Sequence, residues 1–412
     1  MFRFNYLIIG GGLAGGRAAE NIRKVDGSGS IALVTEEPHP PYERPPLSKG
    51  YLLGQQGLDK VYLKDEAFYA QNKIELLRGV RATQLNAAGR AVTLSDGRVL
   101  NYDKLLLATG GRARRLPIPG ANLPGVFTLR TIADADALRA AAQPGAKALV
   151  VGGSFIGAEV AASLCRMGLQ VTLAFMEQRL LERVAPPPLG AQLHELYAQR
   201  GVSILPQRRP QHIAGDDKAR AVTLDNGVTL EVDLVVLGVG IQLETELAHQ
   251  AGLDLAPDGS VLVDQYLRTS DPNIYAAGDI VAWPDPGSNL RLRVEHWDVA
   301  RGQGIRAGRN MAGEAKPYTT LPYFFSDLFE LSLEAWGNLR MWDQFVLRGS
   351  VERGSWAFFY FYHGTMMGAL AAGLPEAERN KIPAVVKARP AYDAVAAALA
   401  DEGTDLATLF LA

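Results

Sequence analysis

The chain has 412 residues, 42 of them Lys or Arg and 44 Asp or Glu, with a formal net charge of −2. That length allows two or three domains, and the near-balance of charge argues against bulk nucleic-acid binding, leaving room only for a local basic patch. Hydrophobic residues at 48% suit a chain that buries a full core, and the single cysteine, Cys165, excludes an intrachain disulfide, a CxxC redox pair or a cysteine zinc site.

The opening stretch MFRFNYLIIGGGLAGG has one early Arg, an apolar run broken by glycines and no cleavage site, so it does not read as a signal sequence. No apolar stretch approaches the ~20 residues of a membrane span. A soluble cytoplasmic protein is expected. Residues 5–9 (NYLII) predict a strand, 17–24 a helix and 31–35 (IALVT) a second strand, a βαβ opening. Gly10, Gly12 and Gly15 form GxGxxG directly after the first strand. The first glycine permits a tight turn, the second lets a pyrophosphate approach the backbone, and the third lets helix and strand pack closely. Glu36 follows the second strand and suits a ribose diol, with Glu37 as the competing acid.

Residues 40–52 (PPYERPPLSKGYL) come next. Each proline fixes its own φ and biases its predecessor toward extended backbone, so the segment is a stiff frame carrying Arg44 and Lys49. Residues 79–98 predict a hairpin with its turn at Asp96–Gly97, and 105–111 (LLLATGG) a buried strand ending in a small-residue turn. The βαβ pattern then recurs at 147–177 as KALVV, GGSFIG, AEVAASLCRM and VTLAF. This internal duplication predicts two nucleotide sites. In the second copy Gly152, Gly153 and Gly157 remain, but Ser154 takes the place of the central glycine. Phe175 stands at the end of its second strand; Glu177, two residues on, could reach a ribose, while Arg179 and Arg183 could meet a 2′-phosphate or be surface charges. Cys165 falls in the second helix and reads as a small apolar residue.

A second hairpin is expected at 219–230, turning at Asn226–Gly227. In TSDPNIYAAGDI (269–280) the carboxylate of Asp279 beside Gly278 could hold a ribityl hydroxyl, while the next helix offers its N-terminus to a phosphate. From about 320 aromatic residues become dense, WAFFYFY (356–362) predicting sheet core, and 381–400 reads as an alanine-rich helical stretch. His39, His194, His212, His249 and His363 show no metal-ligand spacing and read as surface or loop residues. No metal site is expected. Arg112, Arg114 and Arg115 read equally as a solvated turn or a patch for an acidic electron-transfer partner.

Taken together, GGGLAGG, PYERPPLSKGYL, ATGGRARRLPIPG, LRT at 129–131, GGSFIGAEVAA, YAAGDI, RVEHWDVA and YFFSDLF resemble the FAD-dependent pyridine-nucleotide reductases with two dinucleotide domains, over nearly the whole chain. Within them the chain is similar to the ferredoxin reductases of oxygenase systems and to apoptosis-inducing-factor-like proteins. The resemblance implies an α/β fold of two Rossmann-like domains in a glutathione-reductase-like arrangement with an α+β C-terminal domain. It divides the chain into an FAD-binding domain at 1–111 and 238–320, an NAD(P)H-binding domain at 112–237 and a C-terminal reductase domain at 321–412.

The same resemblance implies the site residues. FAD would meet Gly10, Gly12, Leu13, Ala14, Gly15, Glu36, Arg44, Lys49, Ala82 (through its backbone, at the adenine), Ala108, Thr109, Gly110, Arg130, Gly278 and Asp279, with His296 and Trp297 near the isoalloxazine. The pyridine nucleotide would meet Gly152, Gly153, Ile156, Gly157, Glu159, Glu177 and Gly238. Lys49, Glu159 and Trp297 would serve catalysis. A Lys49–Glu159 pair beside the flavin makes physical sense: hydride arrival leaves the flavin negative, and a fixed ammonium stabilises that charge. NADH is favoured, with NADPH possible. With no cysteine pair to take electrons internally, the acceptor is expected to be external, a ferredoxin or Rieske-type iron–sulfur protein, for a monomer or weak homodimer. The rival readings are a reductase of a quinone, a radical or oxygen, and a redox-sensing interaction protein.

Overall fold

The computed structural model, which describes residues 2–288 and 290–409, divides into two units, each assembled from three separate stretches of sequence. The first unit comprises Met1–Pro45, Gly57–Arg112 and Ile241–Thr320; the second comprises Pro46–Gln56, Ala113–Gly240 and Leu321–Ala412. The α/β architecture expected from the duplicated βαβ pattern is the one observed.

In the first unit the strand Phe2–Ile9 runs into the helix Leu13–Val25 and returns as Ile31–Thr35. These strands pair in parallel, flanked by Ile74–Arg78 on one side and Val99–Leu107 on the other. The far half of Val99–Leu107 pairs in parallel with Ile274–Ala276, while its beginning pairs antiparallel with the hairpin strand Ala91–Leu94. Gly97 takes φ +85° at the expected Asp–Gly turn. The helix Trp297–Met311 lies against Leu13–Val25 at backbone contact: a Cβ at Gly304 would stand 2.3 Å from the Ala14 carbonyl oxygen, and one at Gly308 2.5 Å from that of Ala18. Only glycine permits helices this close.

In the second unit Lys147–Val151, Phe155–Arg166 and Gln170–Phe175 repeat the βαβ, within a five-stranded parallel sheet completed by Ser203–Pro206, Leu234–Leu237 and Val126–Phe127. The hairpin expected at 219–230 closes between Ala221–Leu224 and Thr229–Glu231, with Gly227 at φ +81°. After residue 320 comes a five-stranded antiparallel sheet. Its strand Ser355–Tyr362 shows no polar alternation because both faces are covered. Trp356, Phe358 and Tyr360 join a core shared with the parallel-sheet half, while Ala357, Phe359 and Phe361 pack with Ile382, Val385 and Val395 of the terminal helices. Arg348 is buried and ties down the end of the chain, donating to Glu378 and to the carbonyls of Leu399, Asp401, Glu402 and Thr404.

One expectation is refined and one corrected. The stretch 381–400, expected to be helical, forms two helices, Ile382–Ala388 and Tyr392–Ala400. Pro390 disfavours helical backbone at its predecessor, and Arg389 takes the left-handed conformation at φ +51°. His194 is neither a loop nor a free surface residue. It sits half-buried on the helix Pro187–Gln199, its Nε2 accepts the Leu180 N–H at 3.2 Å, and its ring meets Phe175 edge-on. His39 is likewise engaged, with Nδ1 3.0 Å from the Tyr62 hydroxyl. Among the described residues no helix is long and apolar enough to cross a membrane.

Burial, followed by the nearby Arg179 charge, holds the His194 imidazole below its ordinary value of 6.5. A depressed pKa means that the neutral ring's contribution is fully present above pH 6.5 and is lost as pH falls through the folded-state value. The unfolding midpoint of the wild-type protein should therefore drop more steeply than that of His194→Gln as pH is lowered below 6.5, in paired thermal melts. Parallel slopes would remove His194 from this role.

Candidate functional site

The glycine turn of the first unit is dictated by close backbone approach. A Cβ at Gly10, where φ is +116°, would lie 2.1 Å from the Ala108 carbonyl oxygen, and one at Gly15 would lie 1.9 Å from that of Gly10. Gly12 differs. A Cβ there would have only Arg44 Nη1 within reach, at 3.2 Å. As N-cap of Leu13–Val25, Gly12 also offers no side chain to the first-turn N–H groups. An open backbone, uncapped helix amides and a guanidinium in one place fit a pyrophosphate.

Both candidate ribose acids are held by protein groups. Glu36 accepts from Arg112 Nη2 at 2.7 Å and lies 3.8 Å from Arg81. Glu244 bridges the same two arginines, accepting from Arg112 Nε at 2.8 Å and Arg81 Nη2 at 3.0 Å. Glu37 accepts from the Tyr42 hydroxyl at 2.6 Å and Arg44 Nη2 at 3.1 Å. Ala82 opens the strand Ala82–Asn86 and is buried. Thr109 donates its hydroxyl to the Glu244 carbonyl at 2.5 Å, next to Gly110 at φ +63°. Gly278, at φ +88°, donates its N–H to Gln303 Oε1 at 2.9 Å and is followed by a half-buried Asp279. His296 is the N-cap of Trp297–Met311, and the Arg301 guanidinium lies over the Trp297 ring. Burial, only partly opposed by Arg301, raises the carboxyl of Asp298.

In the second unit the glycine turn repeats the same geometry. A Cβ at Gly152 would lie 2.3 Å from the Gly238 carbonyl oxygen, and one at Gly157 would lie 1.9 Å from that of Gly152. Ser154 is the N-cap of Phe155–Arg166, and its hydroxyl does not cap the helix. Ile156, one residue into the helix, is 44% exposed, an apolar side chain free to meet a planar ring. Glu177 points toward Arg183 at 3.7 Å, and Arg179 pairs with Glu182. The Arg130 N–H donates to Asp134 Oδ2, within the capping box that starts Ile132–Ala141.

One turn further along Phe155–Arg166, the structure brings Lys49 and Glu159 together. Lys49 Nζ lies 3.2 Å from Glu159 Oε1 and 3.4 Å from Asp327 Oδ2, with the Phe325 ring 4.8 Å away. Glu159 is almost fully buried, so its charge has to be met by donors. Ser326 Oγ donates to Oε1 and Ser48 Oγ to Oε2, each at 2.6 Å. The Ser48 carbonyl in turn accepts from Ser163 Oγ at 2.6 Å, fastening the loop to the helix. Reading the sequence missed Ser48, Ser326, Phe325 and Asp327. One signal was available: along Tyr323–Leu328 the buried positions alternate as Phe324, Ser326 and Leu328, and a serine on the inward face of a strand requires a partner.

Among the described residues no group of three or more His, Cys, Asp or Glu is disposed to hold a metal ion. The family model for pyridine nucleotide-disulphide oxidoreductases matches residues 4–304, and a reductase C-terminal model matches 323–410. Rhodocoxin reductase of Rhodococcus erythropolis is 35% identical over 370 residues, covering 90% of this chain and 86% of its own. Putidaredoxin reductase of Pseudomonas putida is 34% identical over 365 residues, covering 86% and 85%. A chain of the crystal structure of the covalent putidaredoxin reductase–putidaredoxin complex superposes with a TM-score of 0.93 at 31% identity, over 99% of this chain and 98% of that one. The repeated glycine turns are thus those of a known lineage, and the chain belongs to the pyridine nucleotide-disulphide oxidoreductase family, with the reductase C-terminal domain appended.

Proposed function

We propose that the chain is an FAD-dependent NADH:ferredoxin oxidoreductase, delivering electrons to a ferredoxin or Rieske-type iron–sulfur protein of an oxygenase system. Its family makes it an oxidoreductase that works with a flavin and a pyridine nucleotide. Relatives spanning its length are named as ferredoxin reductases of oxygenase systems. The observation that carries the reading is the isolation of the only thiol. Cys165 is half-buried on the helix Phe155–Arg166, donates to the Arg200 carbonyl at 3.1 Å and has its pKa raised by burial. It has no second cysteine with which to store an electron pair, so the electrons leave through an external acceptor.

On this reading 1–111 and 238–320 bind FAD, 112–237 binds the pyridine nucleotide and 321–412 forms the reductase domain, in a cytoplasmic protein. Arg44 meets the pyrophosphate, Glu36 the adenosine ribose, Asp279 the ribityl–phosphate region, and Ile156 packs on the nicotinamide. The bound flavin supplies the conversion of a two-electron donor into one-electron steps. The protein supplies placement and charge. Glu159, held by two hydroxyls, fixes the Lys49 ammonium from one side, while Asp327 and the Phe325 ring fix it from another. A positive charge that cannot turn away costs no reorganisation when negative charge develops beside it. Glu159 and Asp327 orient the ammonium and act through it.

Reduction of cytochrome c by NADH should be slow with the purified protein alone and accelerate strongly when a [2Fe–2S] ferredoxin is added. Equal rates with and without ferredoxin, or direct reduction of a quinone or oxygen at the same speed, would overturn the assignment. Lys49→Ala should slow flavin reduction by NADH in stopped-flow absorbance by about 10- to 100-fold while the purified variant stays yellow; an unchanged rate removes Lys49 from the chemistry. Ser326→Ala leaves Glu159 short of one buried donor. It should cost about 1–2 kcal/mol in denaturant unfolding and slow flavin reduction less than Lys49→Ala.

A further inference from the structure

The two βαβ copies can be aligned residue by residue from their own hydrogen bonds. Gly10 N–H donates to the Val34 carbonyl, and Gly152 N–H to that of Ala174. A Cβ at Gly11 would strike Thr35, and one at Gly153 would strike Phe175. The Val80 N–H donates to the Thr35 carbonyl, and the Arg208 N–H to that of Phe175. The Gly79 N–H donates to the Glu37 carbonyl, and the Gln207 N–H to that of Glu177. Every anchor gives the same register. Phe175 is the counterpart of Thr35, Met176 of Glu36, Glu177 of Glu37 and Arg208 of Val80.

The chemical consequence lies at the adenosine ribose. A carboxylate after the second strand of such a unit accepts from the ribose hydroxyls and repels a 2′-phosphate, whereas an arginine there accommodates the phosphate. In the second copy the counterpart of Glu36 is Met176, uncharged and 67% exposed. The neighbouring acid, Glu177, points toward Arg183. The apolar Val80 is replaced by Arg208, whose Nη1 donates to the Gln207 carbonyl at 2.6 Å and which pairs with no carboxylate among the described residues. Phe175 cannot substitute for the missing acid, because it is buried beneath the glycine turn against His194.

We propose that the second nucleotide site does not discriminate against a 2′-phosphate, so that this protein takes NADPH as well as NADH, with Met176 and Arg208 as the residues that decide it. This rests on the reading of the second glycine turn as the pyridine-nucleotide site. It assigns the selectivity to a side chain that is absent, at a position that spacing from the glycines alone does not single out.

The test is calorimetric titration of the purified flavin-loaded protein with ADP-ribose and with 2′-phospho-ADP-ribose, at fixed ionic strength. The two affinities should lie within about tenfold of each other. Met176→Glu, at an exposed position, and Arg208→Ala, at a half-buried one, should each widen the ratio against the phosphorylated ligand at least about fivefold, the size expected of one partly screened charge contact. ADP-ribose binding with the phosphorylated ligand more than about tenfold weaker, or a ratio that neither substitution moves, overturns the proposal while leaving the nucleotide site in place. Binding of neither ligand overturns both.

Discussion

A buried carboxylate with no donors would destabilise any fold that contained it, and Glu159 is the carboxylate around which the second unit is organised. Its oxygens are met by Ser48, Lys49 and Ser326, which come from the proline-framed segment and from the first strand of the C-terminal sheet. The helix, the loop and the strand are therefore held in one register by hydrogen bonds to a single side chain. That register places the Lys49 ammonium between two carboxylates and over an aromatic ring. A lysine left to itself on a flexible loop would sample many rotamers, and its charge would be worth little at any one point. Here the electrostatics follow from the need to satisfy a buried acid.

The duplicated βαβ units show what backbone contact constrains and what it leaves free. In both copies the first and last glycines of the turn are required because a carbonyl oxygen occupies the space of a side chain. The hydrogen bonds that bind turn to strand are repeated as well. Other positions of this shared frame have diverged: Gly12 against Ser154, the buried Thr35 against the buried Phe175, and the exposed Glu36 against the exposed Met176. The close-approach positions tolerate one residue type.

Much of the fold was legible because its signals are local. Apolar runs ending in glycine marked the strands, and Asp96–Gly97 and Asn226–Gly227 marked turns whose glycines take positive φ. Where a local signal was overridden, the cause was equally local. Pro390 splits a helical pattern that composition alone would continue, with Arg389 taking the left-handed bend. The core strand Ser355–Tyr362 carries no alternation, because both of its faces are buried, and only neighbouring elements decide that.

By itself, the sequence determined the glycine turns, the strand and helix that flank each of them, and the absence of an internal dithiol. These depend on residue identity over a few positions and on a count. The family resemblance implied that Lys49 meets Glu159; tertiary structure alone added Ser48, Ser326 and Asp327 to that pair. The adjacent Ser48 and Lys49, Glu159, and the adjacent Ser326 and Asp327 come from three distant segments and form one array, and Met176 rather than Glu177 is the true counterpart of Glu36. Spacing along the chain cannot supply this, because hydrogen-bond register between separate elements is fixed only when their faces are packed.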